Sequence, residues 1–280
     1  MHGPYERFLE KFGTSDCNLK ESVVYDVLKV DIYDLQKLPG RVISVDQNWI
    51  NDGNLKKLAS IYQNCMKEPH WNQNISAEGA MGYINDLLSL ENKIFLARIN
   101  ELGEVTGFCA AQVYKQGDAT VFTDLNAEMI LTAKLTPGIK PIDGTTYCEV
   151  IKNGELKNGL SALLWEFDIE QNESGSRGFS DYIALWGAMS QILYENNHKN
   201  LFAVSIKPGP LYNMLVKTFH EGAFELIATI PKVNQPIGDN DMRHRRCPQF
   251  PDGLFAFYLD IDTVNIMWQK WLTKLSKRYS

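Results

Sequence analysis

"LSALLWEFDI" at residues 160–169, "EQNESGSRGF" at 170–179 and "SDYIALWGAMSQILYENN" at 180–197 follow one another directly, and their reading organises the rest of the chain. The first run is apolar and long enough for a central strand. In the last, Tyr182, Leu185, Trp186, Met189, Ile192 and Leu193 fall on one helical face, and Asn196 and Asn197 supply the stop. Between them lies a loop of Gly, Ser and Arg. A strand that hands over to a helix through such a loop brings successive backbone N–H groups to a helix N-terminus, where they suit an anion.

Working outward, "GRVISVDQ" at 40–47 reads as a strand, and "DGNLKKLASIYQNCMKE" as a helix with Leu55, Leu58, Ile61, Tyr62 and Cys65 on one face and Asn51 or Asp52 as its cap. "SAEGAMGYINDLLSL" predicts a second helix capped by Ser76, with Met81, Ile84, Leu87 and Leu88 as its stripe. "KIFLARINELGEVTGFCAAQVY" predicts an antiparallel hairpin turning at Gly103. Residues 115–160 are treated as an insertion, in which "ATVFTDLNAEMILTAKL" reads as another strand pair and "TTYCEVI" as a strand. Downstream, "KNLFAVSI" and "AFELIATI" are strands flanking the short helix "PGPLYNMLVKTFHEG". A polar loop at 231–253 then leads to the strand "GLFAFYLDI".

This order predicts an α/β (α+β) fold: a mixed, mostly antiparallel central sheet of about six or seven strands with helices on both faces. Residues 1–38 form an N-terminal extension, expected to pack as a helix or to mediate a homodimer. Residues 39–262 form the domain, and 263–280 an amphipathic helix packed on it.

Composition narrows the function. A net charge of −6 over 280 residues argues against general nucleic-acid binding, which rests on neutralising phosphates. The one basic run, Arg243, His244, Arg245 and Arg246, reads as a solvated loop or a local anion contact. Apolar stretches such as "SALLW" and "IFLA" fall far short of the roughly 20 residues of a membrane span. The N-terminus lacks the apolar core of a secretory signal, so a cytoplasmic protein is expected. Five scattered cysteines (Cys17, Cys65, Cys109, Cys148, Cys247) form no C-x-x-C pair, and neither disulfides nor a metal is expected.

In this order of elements the chain resembles the GNAT-type N-acetyltransferases over about residues 40–260. The loop at 174–180 is similar to the family's Q/R-x-x-G-x-G/A element. The resemblance implies that the pyrophosphate of acetyl-CoA, or of another acyl-CoA, lies on Ser174, Gly175, Ser176, Arg177, Gly178, Phe179 and Ser180, beyond Ile169 at the strand end. With Arg177-Gly178 as the family's RG pair, Ser180 and Tyr182 stand where Gly or Ala is usual; a cradle over Ser174–Gly178 restores two glycines, so the register stays open. The alternative is a tight strand-to-helix turn that holds no ligand.

"TFHEGAFELIATI" resembles a second family element, in which a Tyr protonates the leaving thiolate. Here Phe219 takes that place, and Phe has no proton to give. The acid is then Tyr212, which shares a helical face with Phe219, or His220, or solvent. Against these stand a core-flanking tyrosine and a surface histidine.

In "WEFDI" period-2 alternation puts Glu166 and Asp168 on one face. Carboxylates on an apolar central strand are either solvated in a cleft, where a raised pKa suits a general base, or ion-paired with Lys or Arg. The family often has a glutamate base on this strand. "LWE" is also similar to the acyl-homoserine lactone synthases, but their Ser-Arg-Phe continuation is absent.

The resemblance implies acyl transfer from a CoA thioester to an amine by direct attack in a ternary complex, across a cleft made by splaying two central strands. No cysteine nucleophile is needed; Cys109 and Cys148 read as small buried hydrophobes. The competing reading is a binding module that keeps the fold without turnover, favoured by Phe219, Ser180 and Tyr182. The acceptor stays open between a small amine, an amino acid and a peptide N-terminus. The 115–160 and 231–253 segments are expected to border it.

Overall fold

The computed structural model describes residues 40–68, 71, 73–135, 159–170, 178–207, 224–231, 253–266 and 268–270. Among the described residues seven strands form one sheet: β1 (Arg41–Ser44), β2 (Lys93–Ile99), β3 (Val105–Tyr114), β4 (Leu160–Ile169), β5 (His198–Lys207), β6 (Phe224–Pro231) and β7 (Gly253–Asp260), in the spatial order β1-β2-β3-β4-β5-β7-β6. Among the described residues only β4 and β5 pair in parallel; every other neighbouring pair is antiparallel. This is the expected mixed sheet.

The helices among the described residues include α1 (Asp52–Met66), α2 (Ala77–Ser89), α3 (Thr120–Leu135) and α4 (Phe179–Glu195). Asn51 caps α1 by accepting from the Asn54 amide at 2.9 Å, and Ser76 caps α2 from Gly79 at 3.0 Å. The β2–β3 hairpin closes through Gly103 at φ +82°, where only glycine is unstrained. α4 ends at Asn196, and Asn197 takes the left-handed φ of +60°.

One correction concerns residues 119–135, expected as a strand pair. They form α3, because Val121, Leu125, Met129 and Thr132 recur at helical spacing and are all buried. Asp118 supports its start by accepting from the amide and hydroxyl of Thr120.

The sheet separates two cores. α1, α2 and α3 bury Leu58, Ile61, Ile84, Leu87, Val121 and Leu125 against one face. α4 and the helical residues 261–266 and 268–270 cover the other, where the whole predicted α4 stripe is buried. Trp268 lies against α4 at Gly187, where a Cβ would overlap its indole, and its Nε1 donates to the Ile183 carbonyl at 3.2 Å.

Candidate active site

β4 begins as a regular central strand. Its parallel ladder with β5 runs from Leu160 opposite His198 to Leu164 opposite Ala203 and then stops, although β4 continues to Ile169 and β5 to Lys207. β5 stays paired with β7 from Asn200 to Lys207. β4 and β5 therefore part in mid-sheet, which is the splay the sequence resemblance implied.

The parting coincides with a bulge. Ala111 faces Leu164 but Ala110 faces Glu166, so Trp165 is an extra residue in β4. The bulge inverts the alternation: Leu163 and Trp165 lie in the α1–α3 core, whereas Phe167 and Ile169 lie in the α4 core. Glu166 and Asp168 consequently face the α1–α3 side with Ala110 and Phe108. In unbroken alternation from Leu164 they would lie beneath α4. They do share a face, as predicted, and the bulge decides which one.

On that side Glu166 is partly exposed, and its Oε2 accepts from the Tyr83 hydroxyl at 3.1 Å while Oε1 accepts from the Phe167 amide at 3.2 Å. Tyr83 stacks on Tyr62, with centroids 4.5 Å apart. Asp168 is buried, and Glu128 of α3 adds a third carboxylate to the electrostatic surroundings. Burial, then the charges of Asp168 and Glu128, push Glu166 well above the ordinary carboxylate range; Tyr83 and the Phe167 amide pull the other way. Burial raises Glu128 to about 7 against the hydrogen bond from Thr132. Both tyrosines are raised, first by burial and then by Glu166. A carboxyl held well above the ordinary range, at the mouth of a splayed sheet, is suited to take a proton from an entering ammonium.

An ion pair lies just past the end of β4. Lys57 of α1 holds both oxygens of Glu170, at 2.8 and 2.7 Å, and so ties the end of β4 to α1. Among the described residues no Lys or Arg contacts Glu166. Ile169 is buried in the α4 core, and its carbonyl accepts from Cys65 Sγ at 3.5 Å. Cys109 is fully buried and its thiol is pushed far up by burial, in keeping with a packing role.

α4 starts at Gly178, an N-cap in extended conformation that has no side chain to bond the first-turn amides. Phe179 and Ser180 follow as its first two residues, with Ser180 half-buried. Tyr182 packs its ring on Phe167 at 4.8 Å and is buried in the α4 core. Ser174, Gly175, Ser176 and Arg177 lie outside the described residues, as do Tyr212, Phe219, His220, Cys148 and the basic run at 243–246.

Sequence reading placed Tyr62 only on a helix stripe, and it missed Tyr83, Glu128 and the buried Arg98 that pairs with Asp181 in the first turn of α4. Arg98 had left a signal: in "KIFLARI" it occupies the same alternating row as Ile94 and Leu96. Glu128 lay within the stretch read as strands.

No protein-family model matches the sequence, and no curated protein does. Solved N-acetyltransferases are among the structures to which it is similar. A ribosomal-protein-alanine N-acetyltransferase from Brucella melitensis is 13% identical, over 79% of this chain and 99% of that one, with a TM-score of 0.43. The AHL synthase LasI is 15% identical, over 82% and 96%, with a TM-score of 0.45. FeeM, an N-acyl amino acid synthase from uncultured soil microbes, is 9% identical, over 80% and 93%, with a TM-score of 0.44. Likeness at this level says nothing of substrate or chemistry. Among the described residues no group of three or more His, Cys, Asp and Glu side chains is placed to hold a metal, and no helix is long and apolar enough to cross a membrane.

Proposed function

We propose that this protein is a divergent GNAT-type N-acyltransferase that moves an acyl group, most simply acetyl, from a CoA thioester to an amine. The observation that carries the reading is the parting of β4 from β5 at the very bulge that turns Glu166 toward the α1–α3 side. The parted strand edge offers unpaired backbone for a thioester, and the end of β4 leads toward the amides that open α4, where a pyrophosphate fits.

In this account the loop from Ser174 to Ser180 holds the pyrophosphate. The amine nitrogen attacks the thioester carbonyl; the C–N bond forms and the C–S bond breaks. Glu166 takes the ammonium proton, directly or through water, and passes it to solvent. Asp168 and Glu128 keep the Glu166 carboxylate basic enough for this step. The leaving thiolate draws its proton from Tyr212 or from solvent. Holding both reactants together supplies much of the rate, and the base adds about 10²- to 10⁴-fold.

Turnover of acetyl-CoA against a panel of small amines, amino acids and peptides tests this, with Glu166→Gln beside the wild type. The expected result is a fall in kcat of about 10²-fold or more with little change in the KM for acetyl-CoA. Binding of acetyl-CoA with no turnover on any acceptor or acyl length would instead favour a fold-sharing binding module.

A further inference from the structure

The α4-facing row of β2 ends in a charge. Ile94 and Leu96 are core residues, and Arg98, next in the row, is equally buried, with its side chain 3% exposed. Its Nε donates to Oδ1 of Asp181 at 2.9 Å. Asp181 is the third residue of α4, and its other oxygen lies so near the N-cap that a Cβ on Gly178 would sit 2.7 Å from it. The guanidinium is closed in from the far side by Gly40, where a Cβ would lie 3.0 and 3.1 Å from Nη1 and Nη2. Gly40 itself has φ +87°, which favours glycine there.

For the helix end alone the arginine is not needed. An aspartate in the first turn stabilises an N-terminus without help, because the macrodipole is positive there. A cation beside it is unfavourable to the helix, and burying an arginine carries a large desolvation cost. The pair ties β2 to α4, and it also relieves the first turn of a negative charge that would oppose a second, stronger anion there.

We propose that the Arg98–Asp181 pair sets the affinity of the α4 N-terminus for the acyl-CoA pyrophosphate, Arg98 cancelling a carboxylate that would otherwise repel it. Arg98 and Asp181 are positioning residues: neither needs to touch the reacting atoms. The inference rests on the acyl-CoA reading of the site.

Titration calorimetry with two ligands, acetyl-CoA and acetyl-pantetheine, tests it, because the second carries the thioester without the phosphates. Asp181→Asn keeps the shape and removes the charge, and it is expected to tighten acetyl-CoA binding roughly 3- to 30-fold. Arg98→Met is expected to weaken it by a similar factor, and the double variant to return toward wild type. Acetyl-pantetheine should bind all of them alike. If Arg98→Met does not fold, Asp181→Asn still decides. An unchanged Kd for acetyl-CoA in Asp181→Asn, or equal changes for both ligands, would make the pair structural and overturn the proposal. Wild-type protein that binds acetyl-pantetheine but not acetyl-CoA would overturn both this inference and the loop assignment beneath it.

Discussion

At the scale of single residues the account turns on Glu166. Its carboxyl is raised by burial and by Asp168 and Glu128, and lowered by Tyr83. A base works only when deprotonated, so the acidic limb of kcat/KM against pH is displaced upward from the ordinary glutamate range. Two substitutions should move that limb in opposite directions. Tyr83→Phe removes a hydrogen bond that favours the charged form and shifts the limb to higher pH. Glu128→Gln removes a neighbouring negative charge and shifts it to lower pH. A pH profile of each variant reads both shifts; a limb that moves with neither would take the proton transfer away from Glu166. Glu128 also carries a stability consequence. Its folded pKa is raised from 4.5 to about 7, so between those values the folded state holds a proton that the unfolded chain has released. Stability therefore falls as pH rises through this window, and Glu128→Gln should gain about 1–2 kcal/mol at pH 8 and little near pH 4.5. Urea unfolding at the two pH values checks the sign.

At the scale of elements, α4 is held to the molecule by contacts that sequence periodicity revealed only in part. The stripe Tyr182 to Leu193 could be read because its spacing is local, and β4 could be read as Leu160–Ile169 because the run is rich in apolar residues and bounded by polar loops. The notch at Gly187 could not, since Trp268 arrives from a distant part of the chain. Gly187→Ala places a methyl where the indole lies and should cost about 1–3 kcal/mol by overpacking, measurable by denaturant titration; an unchanged midpoint would show that Trp268 moves aside freely. The bulge at Trp165 was equally hidden. No Gly or Pro marks it, and it exists only in the register of β4 against β3. α3 was misread because Val121, Phe122 and Thr123 favour strands locally, while the spacing of Val121, Leu125 and Met129 is helical.

At the scale of the molecule, the mixed sheet follows from the order of elements, and the pairing order β1-β2-β3-β4-β5-β7-β6 places β7 between two strands that precede it in sequence. β7 carries Ala256 and Phe257 into opposite cores, which is how one short strand serves both layers. The shared face of Glu166 and Asp168 was legible from period-2 alternation, but the carboxylate of α3 and the tyrosines of α1 and α2 were not, because only tertiary packing brings them to β4. The central claim is that an acyl-CoA lies along β4 with its pyrophosphate on the start of α4. The most direct measurement is a calorimetric titration of acetyl-CoA into the wild type and into Ser180→Glu. An acidic residue in a first helical turn favours the helix, so loss of binding in this variant would not reflect unfolding. The account predicts saturable one-to-one binding in the wild type and a loss of about tenfold or more in Ser180→Glu, with acetyl-pantetheine unaffected. No binding by the wild type, or equal affinity in the two proteins, would contradict it.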